Sequence, residues 1–424
     1  MREGPGQSVF ARPPVWSSAA RVRYNEHAMF STAQATTGLI TTDPIFTLHK
    51  TAPDCAARRG TLRLPHATVE TPVFMPVGTH GTVKAMTFEE VSELGYRLIL
   101  GNTFHLYLRP GNKRIARFGG LHDFIGWDAA MLTDSGGYQV FSLKDLREIT
   151  EEGVRFRSPL DGSLHDFTPE SVMEIEHDLG ADIIMAFDEC PPYPATYEYA
   201  KDSMDRTHRW AERCLAAHDR LGGSASGSLL FGIVQGSVYE DLRAESARAI
   251  AALPFPGVAV GGVSVGEPPE EMRRVLNFTL PHLPTDRPRY LMGVGTPTDI
   301  LDAVLAGVDM FDCVLPTRLA RNGALYTSRG RINIANARWA DEEGPLDPDC
   351  DCRVCRRHSA AYLRHLHQAN EILGAQLATY HNLAFYARLM ADIRAALDED
   401  RFPAFRQARL DAWSRPPQNF TEPD

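Results

Sequence analysis

One pattern limits the folds open to this chain more than any other. Eight short apolar runs recur, each ending in small or polar residues, at 73–78, 98–102, 131–134, 183–188, 229–235, 258–265, 290–295 and 310–315. Near-continuous apolar character marks parallel strands buried on both faces. Helical signals fall between them. Thr87-Phe88-Glu89-Glu90 reads as a capping box, with Gly95 to end its helix. Thr168-Pro169 supplies an N-cap and a first-turn proline, Val172, Ile175 and Leu179 share a face, and Gly180 closes the helix. Thr296-Pro297 opens a third helix that Gly307 ends. Strand, helix, glycine, strand in eight repeats predicts an α/β chain closed into a (β/α)8 TIM barrel, with an open doubly wound sheet as the alternative.

Three segments depart from the repeat. Residues 46–69 predict an N-terminal antiparallel β layer around a turn at 56–60, and 222–228 a flexible surface loop. The remainder, from 318 on, holds a cysteine cluster and two long helical stretches. The chain therefore divides into a disordered extension at 1–44, the β layer with the barrel at 45–317, an inserted zinc-binding subdomain at 318–382, and a helical segment at 383–424 that closes the barrel. The extension carries Arg2, Arg12, Arg21 and Arg23 without the apolar run of a signal peptide.

Net charge is 44 − 54 = −10, which excludes a general nucleic-acid coater and leaves RNA binding to a local basic patch. No stretch reaches the eighteen or so apolar residues of a membrane span. Seven cysteines, three of them at 350, 352 and 355, argue for metal in a reducing, cytoplasmic compartment and against disulfides.

Barrel chemistry sits at the carboxyl ends of the strands. Those ends carry Asp134 with Ser135-Gly136-Gly137, Asp188, Gln235, Gly261-Gly262, Gly293 and Asp312. Each acid alone could be a helix cap or an ion-pair partner. Three at one mouth are more than a structural barrel needs, and two carboxylates on one pocket are the minimum for glycosidic chemistry. Cys350-x-Cys352-x-x-Cys355 with His381 fits a closed tetrahedral zinc site that holds structure and leaves no position for a catalytic water. His358, His365 and His367 rival His381 on spacing alone. Arg318 and Arg321 follow Asp312 closely, and Arg353, Arg356 and Arg357 flank the cysteines.

Asp134-Ser135-Gly136-Gly137-Tyr138-Gln139, Phe187-Asp188-Glu189-Cys190, Gly232-Ile233-Val234-Gln235-Gly236, Ala259-Val260-Gly261-Gly262-Val263, Tyr290-Leu291-Met292-Gly293 and Phe311-Asp312-Cys313-Val314-Leu315-Pro316-Thr317-Arg318 together resemble the tRNA-guanine transglycosylases, as does the Cys350/Cys352/Cys355/His381 set. The match runs in order from about residue 45 to about residue 400. The resemblance implies a homodimeric enzyme that exchanges guanine at the wobble position of tRNA anticodons for a 7-deazaguanine. It implies Asp312 as nucleophile and Asp134 as general acid/base. Asp188, Gln235, Gly262 and Val263 would bind the base, Tyr138 and Met292 would sandwich it, and Arg318 and Arg321 would hold neighbouring anticodon uridines. Cys190 and Val265 resemble bacterial members that take preQ1, since Val265 would crowd the larger queuine. Two alternatives are a queuine-inserting enzyme and a non-catalytic RNA-binding partner subunit; the latter would lack the full acidic set. A metal-dependent barrel hydrolase would need histidine ligands at strand ends, where His105 stands alone.

Overall fold

The computed structural model describes residues 44–143 and 146–414, so the extension expected at 1–44 lies, Pro44 apart, outside the described residues. The first three strands, β1 (Phe46–Thr51), β2 (Arg58–Arg63) and β3 (Thr68–Thr71), form one antiparallel sheet. The turn between β1 and β2 lies at 52–57, earlier than the sequence suggests. Arg58 and Arg59 resemble turn residues only by charge. In the fold Arg58 is buried and pairs with Asp309, and Arg59 reaches Glu70 and Asp398.

Each of the eight predicted barrel strands is present. They are β4 (Val73–Pro76), β5 (Leu98–Asn102) and β6 (Ala130–Asp134), then, beyond an insertion, five more. The insertion is a three-stranded antiparallel sheet that the sequence reading missed: β7 (Arg147–Ile149), β8 (Val154–Arg157) and β9 (Leu164–Phe167). Its strands are short and only one face is buried, with charged residues alternating outward, so no apolar run marks them. The barrel resumes with β10 (Ile183–Met185), β11 (Leu229–Val234), β12 (Val258–Val260), β13 (Arg289–Leu291) and β14 (Met310–Cys313). Neighbours pair in parallel in chain order, β14 returns to β4, and a Val77–Leu100 bridge links β4 to β5. The open-sheet alternative is thereby excluded.

Several strands end earlier than their apolar runs, because the residues that follow turn inward over the barrel mouth; β10 stops three residues before Asp188. The helix signals hold. Thr87 and Glu90 make the capping box of helix Phe88–Glu93, Thr168 and Ser171 make another, and Gly180 and Gly307 close their helices in left-handed conformations. The serine-glycine loop contains one exposed turn of 3-10 helix, Gly223–Ser226.

A last hairpin, β15 (Ala324–Thr327) with β16 (Gly330–Asn333), precedes the cysteine segment. Helix Leu315–Arg321 runs through the 317/318 division and helix Ile372–Asp398 through the 382/383 division, so both are continuous where the sequence reading separates segments. Trp127, Trp210 and Trp339 are among the largest fully buried side chains. No described helix is long and apolar enough to cross a membrane.

Candidate active site and metal centre

The strand order converts distant residues into neighbours around one mouth. Going round the barrel from β14, one meets Asp312, then Asn102 on β5, Asp134 on β6, Asp188 after β10, Gln235 after β11, Gly261 and Gly262 after β12, and Met292 after β13. All of them line a single cavity of about 630 Å³, together with Tyr138, Val263, Arg318 and Arg321. Tyr138 is 58% exposed, and Met292 is half-buried. Cys190 and Val265 line the same cavity.

Register explains how the acids are held. Asn102 stands beside Asp134 on the adjoining strand, and its Nδ2 donates to Asp134 Oδ2 at 2.5 Å. Gln139 Nε2 donates to the same oxygen at 2.8 Å, and the Thr103 amide donates to Oδ1 at 3.0 Å. Burial outweighs these bonds and raises the Asp134 pKa above the usual carboxylate range. On the other side Tyr290 Oη and the Gly293 amide both donate to Asp312 Oδ1, at 2.6 and 2.7 Å. Burial again dominates, and the Asp134 charge adds to it, pushing Asp312 up to about 6.

Asp188 is held by Gln235 Nε2 at 2.6 Å and Ser135 Oγ at 3.4 Å. Burial raises it to about 6. Its sequence neighbour Glu189 points elsewhere, into Arg206 and Tyr199 Oη, so the acidic pair splits between pocket and scaffold. A raised pKa alone does not mark a site. Asp309 also sits at about 6, yet it is locked against Arg58 and the Arg289 amide at the start of β14.

Two glycines are required by close approach. A Cβ on Gly137 would lie 2.8 Å from the Asp188 carbonyl oxygen and 2.9 Å from Asp188 Oδ1. Gly262 has φ +65°, and its Cβ would lie 2.3 Å from Gln235 Oε1, a buried atom with no hydrogen-bond partner among the described residues.

The cysteine set assembles away from this cavity. His381 Nδ1 lies 3.9, 3.7 and 3.4 Å from the sulfurs of Cys350, Cys352 and Cys355. These four ligand atoms all lie within 4.8 Å of one another, and the cysteines are free. His381 Nε2 lies 2.8 Å from the Tyr326 carbonyl oxygen, which fixes the tautomer that leaves the Nδ1 lone pair facing the sulfurs. Hydrogen bonds from the Cys350 and Cys355 thiols hold the Cys352 thiol well below its usual range. The donor set fits a tetrahedral metal ion. The rival histidines stand outside it: His358 stacks on Tyr362, and His367 lies against Gly323. Arg353 is tied to Glu90, Glu93 and the face of Tyr380. It therefore offers no free cation to RNA, and neither it nor Arg356 nor Arg357 lines the cavity.

Sequence reasoning passed over Asn102 and Tyr290, both of which line the cavity. Asn102 ends a predicted strand, a signal that was available. Tyr290 reads as one more apolar strand residue until the register sets its hydroxyl against Asp312.

A family model described as queuine tRNA-ribosyltransferase matches residues 54–415. A protein of that name from Caldanaerobacter subterraneus subsp. tengcongensis is 58% identical over 354 residues, 84% of this chain and 93% of the relative. Proteins of the same name from Ruminiclostridium cellulolyticum and Geobacillus thermodenitrificans are each 56% identical, over 85% and 86% of this chain and 96% of each relative. The barrel, its acid-lined mouth, the Cys3His cluster and these matches agree: the chain belongs to the queuine tRNA-ribosyltransferases, the tRNA-guanine transglycosylase family of pentosyltransferases.

Proposed function

We propose that this enzyme replaces guanine at the wobble position of tRNA (Asp, Asn, His and Tyr) with preQ1 in queuosine biosynthesis, by double displacement. The observation that carries the reading is the convergence of Asp134, Asp188 and Asp312 with Gln235 and Gly262 on one cavity. A stacked base must be turned out of the anticodon to enter such a pocket, and the exposed Tyr138 ring offers it a stacking face opposite Met292. Ionised Asp188 accepts from the ring N–H and exocyclic amine. Gln235 and the Gly262 and Val263 amides serve the carbonyl side of the base.

Both hydrogen bonds to Asp312 fall on Oδ1, leaving Oδ2 to attack the anomeric carbon of the ribose. The glycosidic bond breaks, guanine leaves with a proton from Asp134, and a ribosyl ester of Asp312 remains. The incoming base gives a proton to Asp134 and attacks the same carbon, restoring the carboxylate. Two inversions retain configuration, and the kinetics are ping-pong. Arg318 and Arg321 hold the anticodon backbone and uridines at the rim. Cys350, Cys352, Cys355 and His381 would hold a structural zinc ion, joining the segment at helix Arg353–Arg357 to helix Ile372–Asp398 and standing outside the chemistry. The working form is a homodimer.

The reading is tested by incubating purified enzyme with labelled guanine and a tRNA-Tyr anticodon hairpin; failure of label to enter RNA would reject it. In competition, preQ1 is expected to outcompete queuine by more than about tenfold, because Val265 narrows the pocket. Preference for queuine would reverse the assignment.

The raised carboxylates set a pH dependence. A folded-state pKa raised above the unfolded one gives stability that is complete below the unfolded value and lost as pH rises through the folded one. For Asp188 that window ends near 6. Asp188→Asn is therefore expected to raise the melting temperature by a few degrees at pH 7.5, to leave it unchanged at pH 4, and to weaken guanine binding about 100-fold. Guanine titration and thermal melts at both pH values check this; a destabilised variant at pH 7.5 contradicts it.

A further inference from the structure

Arg243 lies on helix Glu240–Ala252, on the apolar face it shares with Ala247 and Ile250, and is completely buried. A buried guanidinium ordinarily meets a carboxylate; this one has no ion-pair partner among the described residues. It donates instead to four backbone carbonyls: Nε to Ser237 at 2.5 Å, Nη1 to Gly261 at 2.7 Å and Val234 at 3.2 Å, and Nη2 to Gly262 at 3.1 Å. Those carbonyls belong to the chain leaving β11 and β12, the two strands that deliver Gln235 and Gly262 to the cavity.

The geometry of the peptide unit gives the contact a consequence. In a trans peptide the C=O and N–H point in opposite directions. Pulling the Gly261 carbonyl onto Arg243 turns the Gly262 N–H away from it, toward the pocket. Pulling the Gly262 carbonyl does the same for the Val263 N–H. Gly262 thus lies between the Gln235 amide and the guanidinium: a Cβ there would stand 2.3 Å from Gln235 Oε1 and 3.2 Å from Arg243 Nη2. The same glycine amide acts on the Cys190 sulfur, itself a lining residue of the cavity.

We infer that Arg243 is a positioning residue for purine recognition: its guanidinium fixes two consecutive peptide planes so that the Gly262 and Val263 amides face the oxygen of the bound base. The inference rests on the base-exchange reading above and assigns Arg243 no contact with substrate. A shorter cation cannot reach both strand ends, and an apolar side chain leaves four carbonyls free to rotate.

The test compares Arg243→Met, Arg243→Lys and, as control, Arg289→Met, using guanine itself as the probe. Arg289 is likewise buried and bound to the carbonyls of Leu283 and Pro284, but it stands at the opposite end of the barrel strands. Arg243→Met is expected to raise the guanine dissociation constant at least about tenfold, with kcat at saturating guanine within about threefold of wild type. Arg243→Lys should fall between the two and keeps the test open if the methionine variant does not fold. Arg289→Met should lower thermal stability and leave guanine affinity unchanged. Guanine affinity within about twofold of wild type in the folded Arg243 variants overturns the inference. So does an equal loss in Arg289→Met, which would make the effect one of general stability. Wild type that fails to bind guanine overturns the functional reading first, so the two failures are distinguishable.

Discussion

Asp312→Asn is expected to lower base exchange by about 10³-fold or more, the scale on which removal of a covalent nucleophile acts. The substitution is close to isosteric. Its carbonyl can still accept from Tyr290 Oη and the Gly293 amide, so the strand end keeps its hydrogen bonds. It also removes a carboxylate that burial has raised to about 6, so the melting temperature at pH 7.5 should not fall. Loss of activity with retained or increased stability separates a chemical role from a structural one. Two measurements check it: exchange of labelled guanine, and a denaturing gel for the protein–RNA adduct expected of wild type and not of the variant. The wild-type rate should rise with pH through about 6, because the proposed nucleophile Asp312 would attack only when ionised. Exchange by the variant within tenfold of wild type would move the nucleophile to another residue.

The second large effect concerns the Cys3His cluster. If the site holds zinc as proposed, Cys352→Ser is expected to lower the zinc content of the purified protein and its melting temperature by more than about 10 °C, since structural zinc contributes folding free energy directly. The cluster joins two segments that Arg353 also links, through Glu90, Glu93 and the face of Tyr380. Cys350, Cys352 and Cys355 lie on and beside a five-residue helix, Arg353–Arg357, whereas His381 lies inside the long helix that packs on the barrel. His381 Nε2 and Asn382 Oδ1 also bind the backbone of Tyr326, at 2.8 and 3.0 Å, so the site reaches the hairpin β15–β16 as well. Metal content by atomic spectroscopy and a thermal melt on the same preparation check the prediction together. A variant that loses zinc and melts like wild type would contradict a structural role.

The legibility of the fold varied with how each element makes its stability. The barrel strands are buried on both faces, so each must be apolar along its length, and β5 and β11 are buried at every position. That demand is local and appears in sequence. The sheet β7–β9 draws on one buried face only; Val154 and Phe156 point inward while Arg155 and Arg157 face out, too short an alternation to stand apart from a loop. The β1–β2 turn was displaced for a similar reason: Arg58 looks like a surface residue until Asp309, 251 positions away, closes on it.

The site divides in the same way. Residue type and position at a strand end were enough to name Asp134, Asp188, Gln235 and Asp312, because a buried acid or amide after an apolar run has no cheap structural explanation. Which oxygen each acid presents, and which neighbours hold it, depend on contacts between strands, such as Asn102 beside Asp134 and the Tyr290 hydroxyl on Asp312. Glu189 and Asp188 are adjacent and chemically alike, yet one reaches Arg206 and the other Gln235. Arg243 reads as an ordinary helix charge until its carbonyl partners come within reach. The sequence alone determined the periodic elements and the chemical inventory, since hydrophobic period and residue type are properties of the chain itself. Only the closed barrel decided partners, protonation and aim, because those depend on distances between residues far apart in the chain that come into being when the strands close.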